Sequence, residues 1–234
     1  MSEGAAAADV GVIVVAGGAG TRVGGRELKQ FRWVAGKPML LHSVQTFQRR
    51  ADVAVVICVM PPTRVGDPPP WLFQCDTDRL LLSVGGRERT ESVANGLEEL
   101  PDACRVVLVH DAARPLVGDE TIARVIEQAR RGRGAVAALP VVDTLKEVGE
   151  DGAVLRTVPR DRLWRAQTPQ GFPRQMLEEA HAAARRERAT ATDDAALCER
   201  LGFPVVVVRG SERAVKVTEE RDFALADALS ALPD

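Results

Sequence analysis

The sequence predicts an α/β domain with a mostly parallel sheet and helices on both faces. Three observations lead there. Short β-branched runs such as VGVIVV and VAVVICVM show no polar alternation, so they read as strands buried on both faces. Segments of helical period separate these runs, and the alternation calls for crossover connections. Glycine, cationic and acidic residues fall just beyond the runs, where open parallel sheets bind ligands.

In chain order, Val10 to Val15 is the first strand, followed by a glycine-rich loop. Pro38 suits a helix N1 position, with Met39 to Arg50 as the helix. Val53 to Met60 is the second strand, and the proline-rich Pro61 to Pro70 reads as a loop. Arg79 to Val84 is a third strand ending at Gly85-Gly86, Glu88 to Leu100 a helix, and Arg105 to Val109 a fourth strand. The amphipathic Asp119 to Arg131 precedes a fifth strand, Gly134 to Val142. Asp143 to Thr157 breaks the rhythm: it reads as a hairpin around Glu150-Asp151-Gly152, too polar to make its own core, and is expected to project. Helices at Pro173 to Arg188 and Asp193 to Leu201, a strand at Pro204 to Val208 and a helix at Glu219 to Leu232 complete the chain. No repeat or linker is visible, so residues 1–234 are expected to form one domain with an arm at about 141–160.

The 234 residues can bury a substantial core. A net charge of −2 argues against a globally basic nucleic-acid binder and makes any anion site local. Cys58, Cys75, Cys104 and Cys198 have no paired or zinc-like spacing, which fits reduced core residues. The N-terminus lacks the features of a signal peptide, and no apolar run nears the roughly 18 residues that span a bilayer. A cytoplasmic protein without membrane partners is expected. Lysine occurs only at Lys29, Lys37, Lys146 and Lys216, against a background rich in Arg. A lysine retained in such a composition points to a need for a compact ammonium, first at Lys29 and Lys216.

The loop from Ala16 to Gln30 carries Gly17, Gly18 and Gly20 with the cations Arg22, Arg26 and Lys29. Glycines let backbone N–H groups approach a polyphosphate. The P-loop pattern fails, and the dinucleotide pattern fails at Val23. The loop instead matches G-x-G-x-R-(x)6-K-Q, which resembles nucleotidyltransferases that move an NMP group from an NTP.

Asp111, just past the fourth strand, could hold a Mg2+ water, a ribose hydroxyl or an acceptor hydroxyl, or merely cap a helix. Arg114 beside it would suit an acceptor phosphate. Gly85-Gly86 forms a second glycine turn whose backbone could read a base edge, with Ser92 near the ribose or a phosphate; a plain helix start explains it equally. Arg160 and Gln167-Thr168-Pro169-Gln170 form a further polar cluster, the latter read as a loop, and Lys216 follows a short strand. His42, His110 and His181 lack metal-like spacing, and His110 reads as structural. Thr190 to Asp194 reads as a helix cap.

Together the stretches AGGAGTRVGGRELKQ, GGRERTESV, HDAARP, PVVDTLK, QTPQGF and VKVT closely resemble the 2-C-methyl-D-erythritol 4-phosphate cytidylyltransferase family, in family order over about residues 10 to 220. The sequence departs at Leu28, where that family usually has Pro, and at Arg87, where some members carry Asp. The resemblance implies a doubly wound, Rossmann-like nucleotidyltransferase fold, a Mg2+-dependent reaction and a homodimer joined by the arm. It implies that Arg22 and Lys29 hold the CTP phosphates. Ala16, Gly17, Gly18, Gly20, Gly85, Gly86, Ser92, Asp111 and Ala112 would line the nucleotide site. Asp111, Arg114, Thr144, Arg160, Thr168 and Lys216 would line the acceptor site, with Thr144 and Arg160 from the partner subunit and Arg160 and Lys216 sharing the catalytic work. It assigns no side chain to a metal. Another polyol phosphate such as ribitol 5-phosphate is the alternative acceptor, and a catalytically inactive nucleotide-binding protein the alternative class.

Overall fold

Val10–Val15 (β1) is flanked by strands on both sides and covered on both faces, which is why it is β-branched at every position but Gly11. In the computed structural model, which describes residues 8–17 and 28–232, its side chains alternate between two cores. Val10, Val12 and Val14 join one cluster with Leu40, Val44, Phe47, Ile122 and Val125. Ile13 joins the other with Val93, Leu97, Met176 and Leu177. Each such side chain contributes about 1.5–3 kcal/mol on burial.

The remaining elements follow in chain order. Trp33–Val34 (β2) and Lys37–Pro38 (β3) form a short hairpin turned at Ala35 and Gly36, both at positive φ. Helix α1 (Met39–Gln48) leads to β4 (Val53–Met60), a one-turn helix α2 (Pro62–Val65), β5 (Leu80–Val84), α3 (Arg89–Glu98) and β6 (Val106–Asp111). Then come α4 (Asp119–Arg130), β7 (Gly134–Pro140), β8 (Leu145–Val148), β9 (Val154–Val158) and β10 (Trp164–Pro173). Helices α5 (Arg174–Glu187) and α6 (Asp194–Arg200), strand β11 (Val205–Arg209) and α7 (Glu220–Ser230) follow.

Among the described residues the main sheet has seven strands in the order β11-β7-β10-β6-β1-β4-β5. All neighbours pair in parallel except β10, which is antiparallel to both β6 and β7. The architecture is the expected doubly wound α/β sheet, with α1 and α4 on one face and α3 and α5 on the other.

Strand β10 corrects the sequence reading, which left QTPQ in a loop. Its register breaks between Ala166 and Gln170, so Gln167, Thr168 and Pro169 bulge while the strand continues. The glutamines then tie the bulge down from both ends. Gln167 exchanges hydrogen bonds with the backbone of Ser211 (2.9 and 3.2 Å). Gln170 donates to Asp193 (2.7 Å) and accepts from the Ala195 N–H (3.0 Å). Polar residues that satisfy backbone groups across a bulge leave no hydrophobic alternation to read. Gly171 is required there: a Cβ would stand 2.4 Å from Val125 Cγ1 of α4.

Smaller differences have local causes. Pro38 lies in β3 and caps α1 rather than sitting at N1. The proline-rich loop holds α2 and a 3-10 turn, Pro70–Gln74, both beginning with Pro where no helical N–H is needed. Helix α7 docks on the β2-β3 hairpin, where Arg32 forks onto Glu220 (2.6 and 2.7 Å) and stacks over Phe223. With Val34, Met39 and Val217 it closes a third small core. The predicted arm is present as the β8-β9 hairpin, paired only with itself.

Candidate active site

The cluster lies at the C-terminal ends of β1, β4, β5 and β6. There Gly17 and Gly85 meet so closely that a Cβ on Gly85 would stand 3.3 Å from the Gly17 Cα. Parallel strand ends hold them: Ala16 N–H bonds Val59 O (2.8 Å) and Gly85 N–H bonds Met60 O (2.7 Å). Gln30 reaches this strand end by donating to Ala16 O (2.5 Å). Gly18, Gly20 and Arg22 lie outside the described residues. Ser92 is buried, and its Oγ accepts the Gly86 N–H (3.1 Å) while donating to Glu88 O (3.1 Å). It therefore shapes the second glycine turn. The N–H groups of Gly85 and Gly86 are thus both engaged within the protein.

At the end of β6, Asp111 opens a turn closed by the Arg114 N–H (2.9 Å). The segment 214–217 runs along this turn. Val217 N–H bonds Ala113 O (2.8 Å), and Arg114 Nη1 donates to Ala214 O (2.7 Å). That segment engages two ammonium groups. Lys216 Nζ meets Asp111 Oδ2 at 2.7 Å, and Lys29 Nζ donates to Val217 O at 2.8 Å. Lys216 follows β11 by an irregular segment rather than sitting at a strand end. Thr168, from the bulge of β10, accepts the Asp111 N–H (3.0 Å).

Arg89 was not assigned a role from sequence. It is the first residue of α3, where the helix dipole disfavours a cation, and that misplacement signals a nearby anion. Its Nε reaches Asp111 Oδ1 (3.3 Å) and its Nη1 reaches Asp194 Oδ2 (2.6 Å). Asp194 is buried, and its other oxygen pairs with His181 Nε2 (3.0 Å). Burial works to raise the Asp111 carboxyl, but Arg89 and Lys216 overcome it and hold it well below the ordinary range. Asp194 is lowered in the same way, burial opposing and Arg89 and His181 prevailing. Asp193, in the stretch read as a cap, does accept the Ala196 N–H of α6 (3.0 Å).

Ala112 is buried behind the cluster, its N–H on Val15 O (3.1 Å). Thr144 and Arg160 stand apart, both exposed at the base of the arm. Arg160 donates to Val142 O, and neither residue pairs with Asp111, Arg114, Thr168 or Lys216. His110 is fully buried, and burial pushes its imidazole down to about 4, so the ring is neutral, weakly basic and shut away from any substrate proton.

Among the described residues no group of three or more His, Cys, Asp or Glu could hold a metal ion. Mg2+ keeps most of its waters and binds largely through phosphates, and both Asp111 oxygens are already paired, with Arg89 and Lys216.

A family model described as IspD, 2-C-methyl-D-erythritol 4-phosphate cytidylyltransferase, matches residues 10–231. The 2-C-methyl-D-erythritol 4-phosphate cytidylyltransferase of Syntrophus aciditrophicus is 40% identical over 219 residues, covering 92% of this chain and 93% of the relative. The enzyme of that name from Salinibacter ruber is 42% identical over 220 residues, covering 93% and 91%. The crystal structure of the Thermus thermophilus enzyme of that name is similar with a TM-score of 0.79 at 38% identity, covering 94% of this chain and 98% of that one.

Proposed function

The chain belongs to the 2-C-methyl-D-erythritol 4-phosphate cytidylyltransferase family, and from its strand-end cluster we infer how its residues divide the work. The reaction transfers CMP from CTP to 2-C-methyl-D-erythritol 4-phosphate in isoprenoid biosynthesis, releasing pyrophosphate. An oxygen of the acceptor phosphate bonds to the α-phosphorus as the bond to the bridging oxygen of pyrophosphate breaks. That phosphate is already ionised at neutral pH, so no general base is needed. Catalysis reduces to in-line positioning and to neutralising charge.

The observation that carries the assignment is the Lys216–Asp111 pair at the end of β6, with Arg114 and Lys29 both tied to the segment 214–217 that carries Lys216. Lys29, with Arg22 in the glycine loop, stabilises charge on the α-phosphate and pyrophosphate. Lys216 holds the acceptor phosphate near the reacting phosphorus, while Asp111, kept ionised, accepts from an acceptor hydroxyl. Arg114 and Thr168 complete the acceptor side. Mg2+ carried on the CTP phosphates would neutralise them and hold them in one geometry. At the glycine turn, the Gly85 and Gly86 carbonyls accept from the exocyclic amino group of cytosine, a group uracil lacks.

We further propose one domain with a dimerisation arm. On β8 and β9, Val148, Val154 and Leu155 are 54, 61 and 63% exposed. An isolated two-stranded hairpin is marginal in water, so a partner subunit is the natural cover. In that dimer Thr144 and Arg160 serve the partner's acceptor site. The four cysteines are free, and no described helix is long and apolar enough to cross a membrane. We take the cytoplasm as the site of action.

The test is pyrophosphate release from CTP with 2-C-methyl-D-erythritol 4-phosphate or ribitol 5-phosphate, repeated with UTP, ATP and GTP. The methylerythritol phosphate with CTP should win, with UTP the best wrong nucleotide. Preference for ribitol 5-phosphate, or efficient GTP turnover, overturns the reading.

A further inference from the structure

His110 is fully buried against Phe47, so nothing outside the protein reaches its ring. Its two nitrogens nevertheless both face parts of the acceptor cluster. Nε2 lies 3.1 Å from Arg114 O, and Nδ1 lies 3.1 Å from Thr168 Oγ1. A carbonyl oxygen can only accept, so Nε2 must carry the proton. A neutral ring then has a lone pair at Nδ1, and the Thr168 hydroxyl must donate to it. Thr168 Oγ1 also accepts the Asp111 N–H at 3.0 Å. Every proton in the chain Asp111 N–H to Thr168 to His110 to Arg114 O is therefore assigned in one direction.

We propose that His110 is a positioning residue for cytidylyl transfer, locking the Asp111–Arg114 turn to the bulge of β10 and committing the Thr168 hydroxyl proton inward. This rests on the acceptor-site reading above. Two consequences follow from the geometry. The turn that presents Asp111 and Arg114 is held at its Arg114 end by the ring itself and at its Asp111 end through Thr168, so His110 helps set the spacing of the two groups. Thr168, its proton spent, keeps only a lone pair for the substrate, so it recognises a hydroxyl donor and not a bare phosphate oxygen. The ring is fully buried and neither nitrogen meets a carboxylate, so it is neutral. The charged groups facing it are Asp111 and Arg114 of its own turn and Arg89 from α3.

Two measurements test this on the full-length protein. First, long-range proton–nitrogen spectra of the imidazole rings, assigned by comparison with His110→Asn, should show His110 as the neutral Nε2–H tautomer near neutral pH. An Nδ1–H tautomer or an imidazolium overturns the proposal, and this readout does not depend on turnover or on which acceptor is used. Second, His110→Phe keeps a buried ring but removes both bonds, leaving Thr168 and Arg114 O unsatisfied. It should lower kcat/KM for the polyol phosphate about 10- to 100-fold while moving KM for CTP by less than about threefold. Thr168→Val should do the same, and Thr168→Ser, which keeps the hydroxyl, should restore most of the loss. A His110→Phe enzyme that only melts earlier, with unchanged kcat/KM for the acceptor below its transition, shows a purely structural residue. Should that variant not fold, the Val and Ser pair at Thr168 with the tautomer spectrum decides the matter. Parent enzyme that releases no pyrophosphate with any polyol phosphate would instead count against the acceptor reading, with the tautomer result still standing on its own.

Discussion

Replacing Arg89 by Leu should uncover the electrostatics that hold the cluster together. Asp194 is 1% exposed and ionised, and Arg89 supplies its closest cation, at 2.6 Å. Removing one partner of a buried pair leaves an uncompensated charge and costs about 3–5 kcal/mol. Against a typical stability of about 5–15 kcal/mol that is a large fraction. The pH dependence gives the sharper test. In the parent, the Asp194 pKa is depressed, so its contribution is present above the unfolded value near 3.8 and is lost as pH falls through the folded one. In the variant that pKa rises, and the sign reverses: protonation below the raised pKa relieves the buried charge. The penalty should therefore shrink on acidification, by at most about 1.4 kcal/mol per pH unit for one proton. Urea unfolding of parent and variant at about pH 7.5 and about pH 5 reads both quantities. Adding Asp194→Asn to Arg89→Leu removes the stranded charge and should return at least half of the lost stability. A penalty under about 1 kcal/mol at the higher pH, or one that grows in acid, refutes the reasoning.

Two further predictions concern catalysis. Lys29→Ala should lower kcat by about 10²-fold or more while weakening CTP binding far less, because its ammonium acts mainly on charge that develops in the transition state. Steady-state kinetics with both substrates check it, and a variant within a few-fold of the parent removes Lys29 from the mechanism. If the arm shares the active site, mixing inactive Arg160→Ala and Lys29→Ala chains should restore activity, since each heterodimer then has one intact site and one doubly defective site. Activity that stays absent after subunit exchange is confirmed by mass places both residues in a single chain's site.

Much of this was legible in the residues. The β-branched runs of β1, β4 and β6 read as buried strands because strands covered on both faces leave no room for polar alternation, and the structure bears this out. The motif-bearing positions Gly17, Gly85 and Asp111 lie at strand ends because a parallel sheet gathers the loops after its strands along one edge. Local chemistry was enough for those. It was not enough for β10, whose bulge is held by glutamine bonds to segments on either side, or for the β2-β3 hairpin, which matters because α7 packs on it.

The sequence by itself determined the parallel sheet, the cationic glycine loop, the polar arm and the list of residues fit to handle phosphates, since each depends on neighbours a few positions away. Only the tertiary structure decided which of them meet. Arg89 finds Asp194 across 105 residues and Lys29 finds Val217 across 188, and no spacing rule spans such distances. The direction of the hydrogen bonds through His110 and Thr168 was likewise invisible. It depends on a hydroxyl 58 residues away at one ring nitrogen and a carbonyl four residues away at the other. Periodicity records what a segment buries; the identity of the partner is fixed when the sheet brings remote strand ends together.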